Sequence, residues 1–197
     1  MFFLFVIVLK TFILGVIYAS FFEWVLHKKI MHQVVGGFSY PFETHALVHH
    51  KVFKADDTYH TRDKKSRSKI PMAWWNGPVI IIVGMLLGPL PIAIWVYEFG
   101  YQTEAILLCT VSFLTFSCYF ALYEYLHWRM HAPRDGWLEG TWVFKKLNAH
   151  HILHHRHMGS NFNTVVPLAD WVLGTLLVRA KRPFMQVRGT SIPDVQP

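Results

Sequence analysis

Three apolar runs limit what this chain can fold into. Residues 2–26 (FFLFVIVLKTFILGVIYASFFEWVL), 72–98 and 105–126 are each long enough to cross about 30 Å of hydrocarbon as a helix. Inside a bilayer every backbone polar group must find its partner within the protein, and a helix does this within the run itself. The expectation is an all-α integral membrane protein, one domain over residues 1–197, with about three transmembrane spans. Only 16% of the residues are charged, where a water-soluble domain averages about 25%. A cleaved leader would need a basic start and a small-residue cleavage site. The chain starts Met-Phe-Phe-Leu-Phe and the first run leads straight into His27, so it reads as an uncleaved anchor.

Charge gives the runs a direction. Apart from Lys10, every Lys and Arg lies between Lys28 and Lys69 or between Arg129 and Arg188. The connection at residues 97–104 (YEFGYQTE) has two acids and no base. Basic segments stay on the cytoplasmic side, so both polar segments are expected there, facing anionic headgroups. The net charge of +7 is thereby explained without nucleic acid as a partner. Gly88-Pro89-Leu90-Pro91 interrupts the second run and is read as a kink in one span, not a re-entrant hairpin. Trp74, Trp75 and Trp95 suit interfacial anchors. Residues 164–179 are apolar but broken by Pro167, Asp170 and Gly174, which predicts an interfacial or core-packed helix and no fourth span. The tail 182–197 reads as flexible. Cys109 and Cys118, nine apart in an apolar run, give no disulfide framework.

Ten of the thirteen histidines fall into four clusters beside these runs: His27 and His32; His45, His49 and His50; His127 and His131; His151, His154 and His155. Imidazole is the commonest protein metal ligand near neutral pH. One ion takes about four to six ligands, so ten candidates suit two ions, held in a helical cap on the cytoplasmic face. Residues four apart share a helix face, which pairs His45 with His49, His127 with His131 and His151 with His155. His27 and His32 are five apart, about 140° on an ideal helix. That pair needs an unwound or π-bulged helix end, or two different ions; the sequence leaves both open.

The ligand types narrow the chemistry. There is no H-E-x-x-H and no carboxylate within the clusters, which disfavours a zinc protease of that type and the carboxylate-rich di-iron bundle. Imidazole suits Zn, Cu, Fe and Ni. Two irons with about five imidazoles each suit oxygen activation, and zinc can take their place in purified protein. Ligating histidines usually give their second N–H to a carboxylate or carbonyl, so Glu23, Glu124 and Asp170 are expected behind the ligands. Asn161 and Asn163 are candidates to supply an amide oxygen or a hydrogen bond to bound water, with helix capping or a turn as the alternative. His60 is read as a surface residue, His150 as able to replace His151, and His157 as solvated or oriented toward substrate.

The boxes HKKIMH, HALVHH, HWRMH and HHILHH, followed by NFNTVVPLADWVLGT, resemble the fatty acid hydroxylase/sterol desaturase superfamily, the membrane-bound histidine-box di-iron oxygenases. The resemblance covers roughly residues 20–176. The family's second box is commonly H-x2-H-H, and this chain has one residue more there. The small size also looks like the carotenoid hydroxylases of the same broad group. The resemblance implies O2-dependent hydroxylation or desaturation of a lipid C–H bond at two iron ions. It also implies an external electron donor of ferredoxin, cytochrome or reductase type. The metal carries the hard step, with no other catalytic side chain required. A greasy slot is expected between the spans near Trp24, Phe120 and Tyr123. The rival functions are a metal-handling membrane protein or transporter, which needs ionisable residues along the spans, and a zinc-dependent membrane hydrolase, which needs fewer imidazoles.

Overall fold

The computed structural model describes residues 2–179, and among them the fold is all helical, without a strand. Helix α1 (Phe2–Val25) runs without a break into a π-helical turn, π1 (Leu26–Met31). A polar segment follows: a short α2 (Tyr40–Phe42), a second π turn, π2 (Glu43–His49), then α3 (His50–Val52) and α4 (Lys64–Arg67). Helices α5 (Asn76–Leu87) and α6 (Pro89–Glu98) bend by 42° at the Gly-Pro break. Helix α7 (Gln102–His131) is the longest. Then come α8 (Trp137–Gly140), α9 (Trp142–Arg156) and α10 (Leu168–Val172).

Two helices are long and apolar enough to cross a membrane, Phe2–Met31 and Gln102–His131, and the bent α5–α6 pair passes the same test taken together. Their outward faces leave Phe2, Phe5, Leu14, Leu87, Ile106 and Leu114 exposed. Contiguous apolar surface of this extent is costly in water, and the exposed faces are consistent with a membrane protein.

Packing centres on α7, which lies against α1, α5 and α6. Ala19, Phe116, Tyr119, Leu126, Met130 and Phe144 form the buried core. Glycines on α5 allow the close approach. A Cβ on Gly84 would stand 2.5 Å from the Phe116 ring, and one on Gly77 would stand 2.8 Å from the Phe120 ring. The Tyr18 hydroxyl donates to the Gly84 carbonyl at 2.8 Å and ties α1 to the same helix.

Three expectations shift. The third apolar helix is longer than residues 105–126, because its polar last turn, with His127 and His131, continues the helix toward the other histidine clusters. The second begins at Asn76, not residue 72. Residues 164–179 yield only the five-residue α10: Pro167 lies at its start, and Gly174, at φ +71°, turns the chain just past its end. The tail 182–197 lies outside the described residues. Both cysteines are free.

Candidate metal centre

The ten clustered histidines converge, and they sort into two groups of five. One holds His27, His32, His45, His50 and His154; the other holds His49, His127, His131, His151 and His155. Within each group every ligand atom lies within 4.8 Å of the other four. That is little more than the separation of about 4.2 Å between opposite nitrogens bound to one ion.

Each helix end has a distinct task. The end of α1 with π1 supplies His27 and His32 to the first group. The end of α7 supplies His127 and His131 to the second. The π2–α3 segment and α9 serve both. On α9, His151 and His155 are four apart and point to the second group, while His154 points to the first. On π2 the expected His45–His49 pairing is overturned. The π turn widens the helix, so His45 and His50, five apart, share the first group and His49 goes to the second. A π-helix closes i→i+5 hydrogen bonds, which brings residues five apart onto one face. The same geometry in π1 settles the His27–His32 alternative: the helix end is π-wound and both rings face one group.

Hydrogen bonds fix what these rings present. The Nδ1 of His27 donates to the Phe162 carbonyl at 2.5 Å, His154 to Ser160 at 2.8 Å and His131 to Tyr59 at 2.9 Å. His155 donates to Phe53 at 2.6 Å and His49 to Lys69 at 3.2 Å. A carbonyl only accepts, so each of these Nδ1 atoms carries the proton. Burial keeps the rings neutral. It holds His49 down to about 4 and His154 down to about 3, and drives His45, His50, His151 and His155 well below the ordinary imidazole value, with neighbouring histidines adding to the effect. A neutral ring protonated at Nδ1 leaves a bare lone pair on Nε2.

Those bare nitrogens converge on the Nε2 atoms of rings whose tautomer no carbonyl fixes, and each such ring has one proton to give. His131 and His155 each approach the Nε2 of His151 at 3.1 Å. His151 can donate to one of them at most. In the first group, Nε2 contacts run from His27 to His45 at 2.8 Å, on to His50 at 3.1 Å, to His154 at 3.1 Å and to His32 at 3.2 Å. Converging lone pairs repel unless a cation sits among them. Two nitrogens about 2.1 Å from one ion and about 90° apart stand about 3.0 Å from each other, which matches these contacts. The donor set therefore fits one ion per group, with five nitrogens each and room for a further ligand. Closed four-ligand zinc sites are the poorer match.

The acids expected behind the ligands act one step further away. Asp170 is fully buried and accepts from the backbone N–H of Phe162 and Asn163, the Thr175 hydroxyl and His150 Nε2. Burial pushes its pKa up, and these hydrogen bonds outweigh that and hold it low. Glu23 accepts from the Thr164 N–H at 2.6 Å and the Tyr119 hydroxyl at 2.7 Å, with Asn163 at 3.2 Å. Asn161 donates to the carbonyls of His150 and Leu177, and Asn163 to that of Ser20. These side chains build the loop 160–164, and the loop's carbonyls hold His27 and His154. Glu124 is half-buried and bonds none of the ten imidazoles. His150 is committed to Asp170 and belongs to neither group. His60 is exposed, and His157 is half-buried outside both groups.

An apolar cleft runs between α1, α5 and α7 and reaches His27. Phe120 and Tyr123 line it as expected, with Phe22, Ile80 and Phe116. Trp24 does not: its Nε1 donates to Thr175 at 2.8 Å, which turns the ring toward Phe162. The backbone carbonyls of Phe53, Tyr59, Lys69, Ser160 and Phe162 were invisible in the sequence, because a carbonyl carries no residue signature. Comparison with protein-family models, with curated proteins and with solved structures returns no match.

Proposed function

We propose that this chain is a membrane-bound di-iron oxygenase that hydroxylates, or desaturates, an alkyl C–H bond of a lipid with O2 and external electrons. The observation that carries the reading is the pair of five-imidazole groups, each with bare nitrogens aimed at a common point. Nitrogen-only, open-sided coordination of two ions suits redox work with O2 better than a closed structural site. The box pattern, which resembles the fatty acid hydroxylase/sterol desaturase superfamily, supports the same reading. So does the apolar cleft that ends at His27, a place where an alkyl chain can reach the ligand shell from the hydrocarbon.

In this reading the bent α5–α6 pair is the second of three spans. The basic segments place the histidine end on the cytoplasmic face. When bound, the metal pair with O2 supplies the oxidising power that removes hydrogen from an alkyl carbon. Two electrons and two protons come from outside. Hydroxylation leaves one oxygen atom in the product and one in water; desaturation leaves both in water. The protein's own part is positional. Backbone carbonyls orient the ligand rings, and the aromatic walls of the cleft hold hydrocarbon and exclude water.

The test is lipid profiling of cells with and without the chain under labelled oxygen, beside metal analysis of the purified protein. An alcohol carrying the label, or a new double bond without it, is the expected product. Unchanged lipids together with altered metal uptake would reject the oxygenase in favour of transport. Turnover that needs neither O2 nor reductant would favour the hydrolase.

A further inference from the structure

The histidine groups are reached from outside at a hollow that the lipid cleft does not use. A hollow of about 310 Å³, open outward, lies between the π2–α3 segment and the end of α9. His50 and His155 form its floor, Lys51 and Lys54 its fringe, and Leu47 and Met158 its apolar rim. His50 and His155 are 8% and 9% exposed, against 3% or less for seven of the other eight ligands. Only His32, also in the first group, is more open. The two floor residues belong to different groups, and their rings stack at 4.2 Å.

We propose that this hollow is the docking site of a small acidic one-electron carrier protein. The inference rests on the oxygenase reading and says where its electrons enter. Charge is the first argument. Lys51 and Lys54 are exposed, and among the described residues no carboxylate lines the hollow. A positive fringe steers an acidic partner and sets its orientation. Shape is the second: Leu47 and Met158, each about half exposed, give an apolar contact inside the charged rim, the usual layout of a transient interface. Position is the third. An electron delivered to the floor is one imidazole from either ion. With ions held by the two groups, each encounter would oxidise the carrier by one electron and pass that electron to the ion pair. Two encounters supply the two electrons of a turnover. The cleft at His27 stays free for substrate throughout.

The experiment uses the full chain in zwitterionic nanodiscs and a reduced [2Fe–2S] ferredoxin of acidic surface as the probe. Carbodiimide cross-linking of the oxidised ferredoxin to the metal-free protein should join its carboxylates to Lys51 or Lys54. With iron-loaded protein, Lys51→Glu with Lys54→Glu should slow reduction by ferredoxin about tenfold or more at low salt. Reduction by dithionite should stay within about twofold, and Lys51→Arg with Lys54→Arg should keep the native rate and its fall with salt. Ferredoxin reduction at the native rate in the glutamate variant, or cross-links elsewhere, would overturn the docking site. A loss seen only in anionic nanodiscs would assign the lysines to lipid headgroups and overturn it too. Native protein that binds no iron, or holds iron that dithionite cannot reduce, would instead remove the oxygenase reading on which the docking site rests.

Discussion

His50 and His155 stack ring on ring, 26° from parallel with centroids 4.2 Å apart, although each belongs to a different ligand group. His45 and His49 do the same across the boundary at 5.2 Å and 13°. The two groups therefore share walls. A ring removed from one group also removes packing from the other, so the two sites are expected to respond to mutation together more than two separated sites would.

The first prediction concerns His155. Its Nε2 is one of five in the second group, and its ring is a wall of the first. His155→Ala should lower the metal content from about two ions per chain to about one or fewer, with product formation falling below detection. His131→Ala should behave alike. His60→Ala should leave both quantities within about twofold, because His60 is exposed and belongs to neither group. Elemental analysis of purified variants checks this; two ions retained in a fully active His155→Ala protein would refute the ligand assignment.

The second prediction comes from the π turns. In π2 one extra residue separates His45 from His50, and the wider helix absorbs it. Deleting the exposed Leu47 would leave those two histidines four apart, the spacing that shares a face on an ordinary α-helix. The deletion should relax π2 to α-helix and retain both ions. Inserting an alanine at the same point has no helix type to absorb it and should lose the ion of the first group. A metal titration showing loss in the deletion variant would mean that the π turn does more than correct the register.

Much of this was legible in the sequence, and the residues that were not have a common cause. The apolar runs and the four histidine clusters are direct readouts of solvent and coordination chemistry, so the long apolar helices and the gathering of the ten histidines followed from them. The division of ligands between the groups did not. It depends on whether a helix is α- or π-wound at His45, and no side chain reports that. Nor did the sequence disclose that backbone carbonyls at Phe53, Tyr59, Ser160 and Phe162 take the Nδ1 protons. Asp170 was picked out as an acid in an apolar stretch, but its partners are the loop's own N–H groups, with His150. Trp24 was placed in the slot from the topology of the spans alone; its indole N–H instead found Thr175.

The third prediction follows from Asp170. It anchors the loop whose carbonyls orient His27 and His154, both in the first group. Asp170→Asn replaces an acceptor oxygen by a donor that faces existing N–H groups. Outer partners of metal ligands are typically worth about 10–100-fold in affinity. That loss should fall on the first ion to be chelated away, while the second ion keeps its native affinity. Equal weakening of both, or of neither, would show that the loop does not orient the ligands selectively.

The fourth prediction concerns the lipid cleft. Phe116 lines it and packs against Gly84, where a Cβ would stand 2.5 Å from the ring. Gly84→Ala must therefore push the ring toward the cleft, at a cost of about 1–3 kcal/mol as overpacking. Phe116→Ala opens the same wall and costs about 3–5 kcal/mol. The two variants should shift the length of co-purified or converted lipid chains in opposite directions, shorter for Gly84→Ala and longer for Phe116→Ala. Mass spectrometry of bound lipid reads this without turnover. Identical lipid profiles in both variants would place the substrate elsewhere.

The fifth prediction is a pH dependence of the metal-free protein. Burial holds the folded pKa of His49 at about 4 and of His154 at about 3, against 6.5 for an unperturbed imidazole. The unfolded chain thus binds more protons than the folded one once the pH drops below about 6.5. Stability rises with pH wherever the unfolded state binds more protons. The contribution of these rings is therefore fully present above about 6.5, and it is lost as the pH falls through that value toward about 4 for His49 and about 3 for His154. His45, His50, His151 and His155 act in the same direction. Bound metal competes with those protons, so the metal-loaded protein should begin to lose stability at lower pH than the chelator-treated one. Thermal unfolding followed from pH 8 to 5 on both forms separates the curves. A metal-free protein with a flat profile across that window would mean that these imidazoles are not buried and neutral in the fold, and the convergence of bare nitrogens would lose its basis.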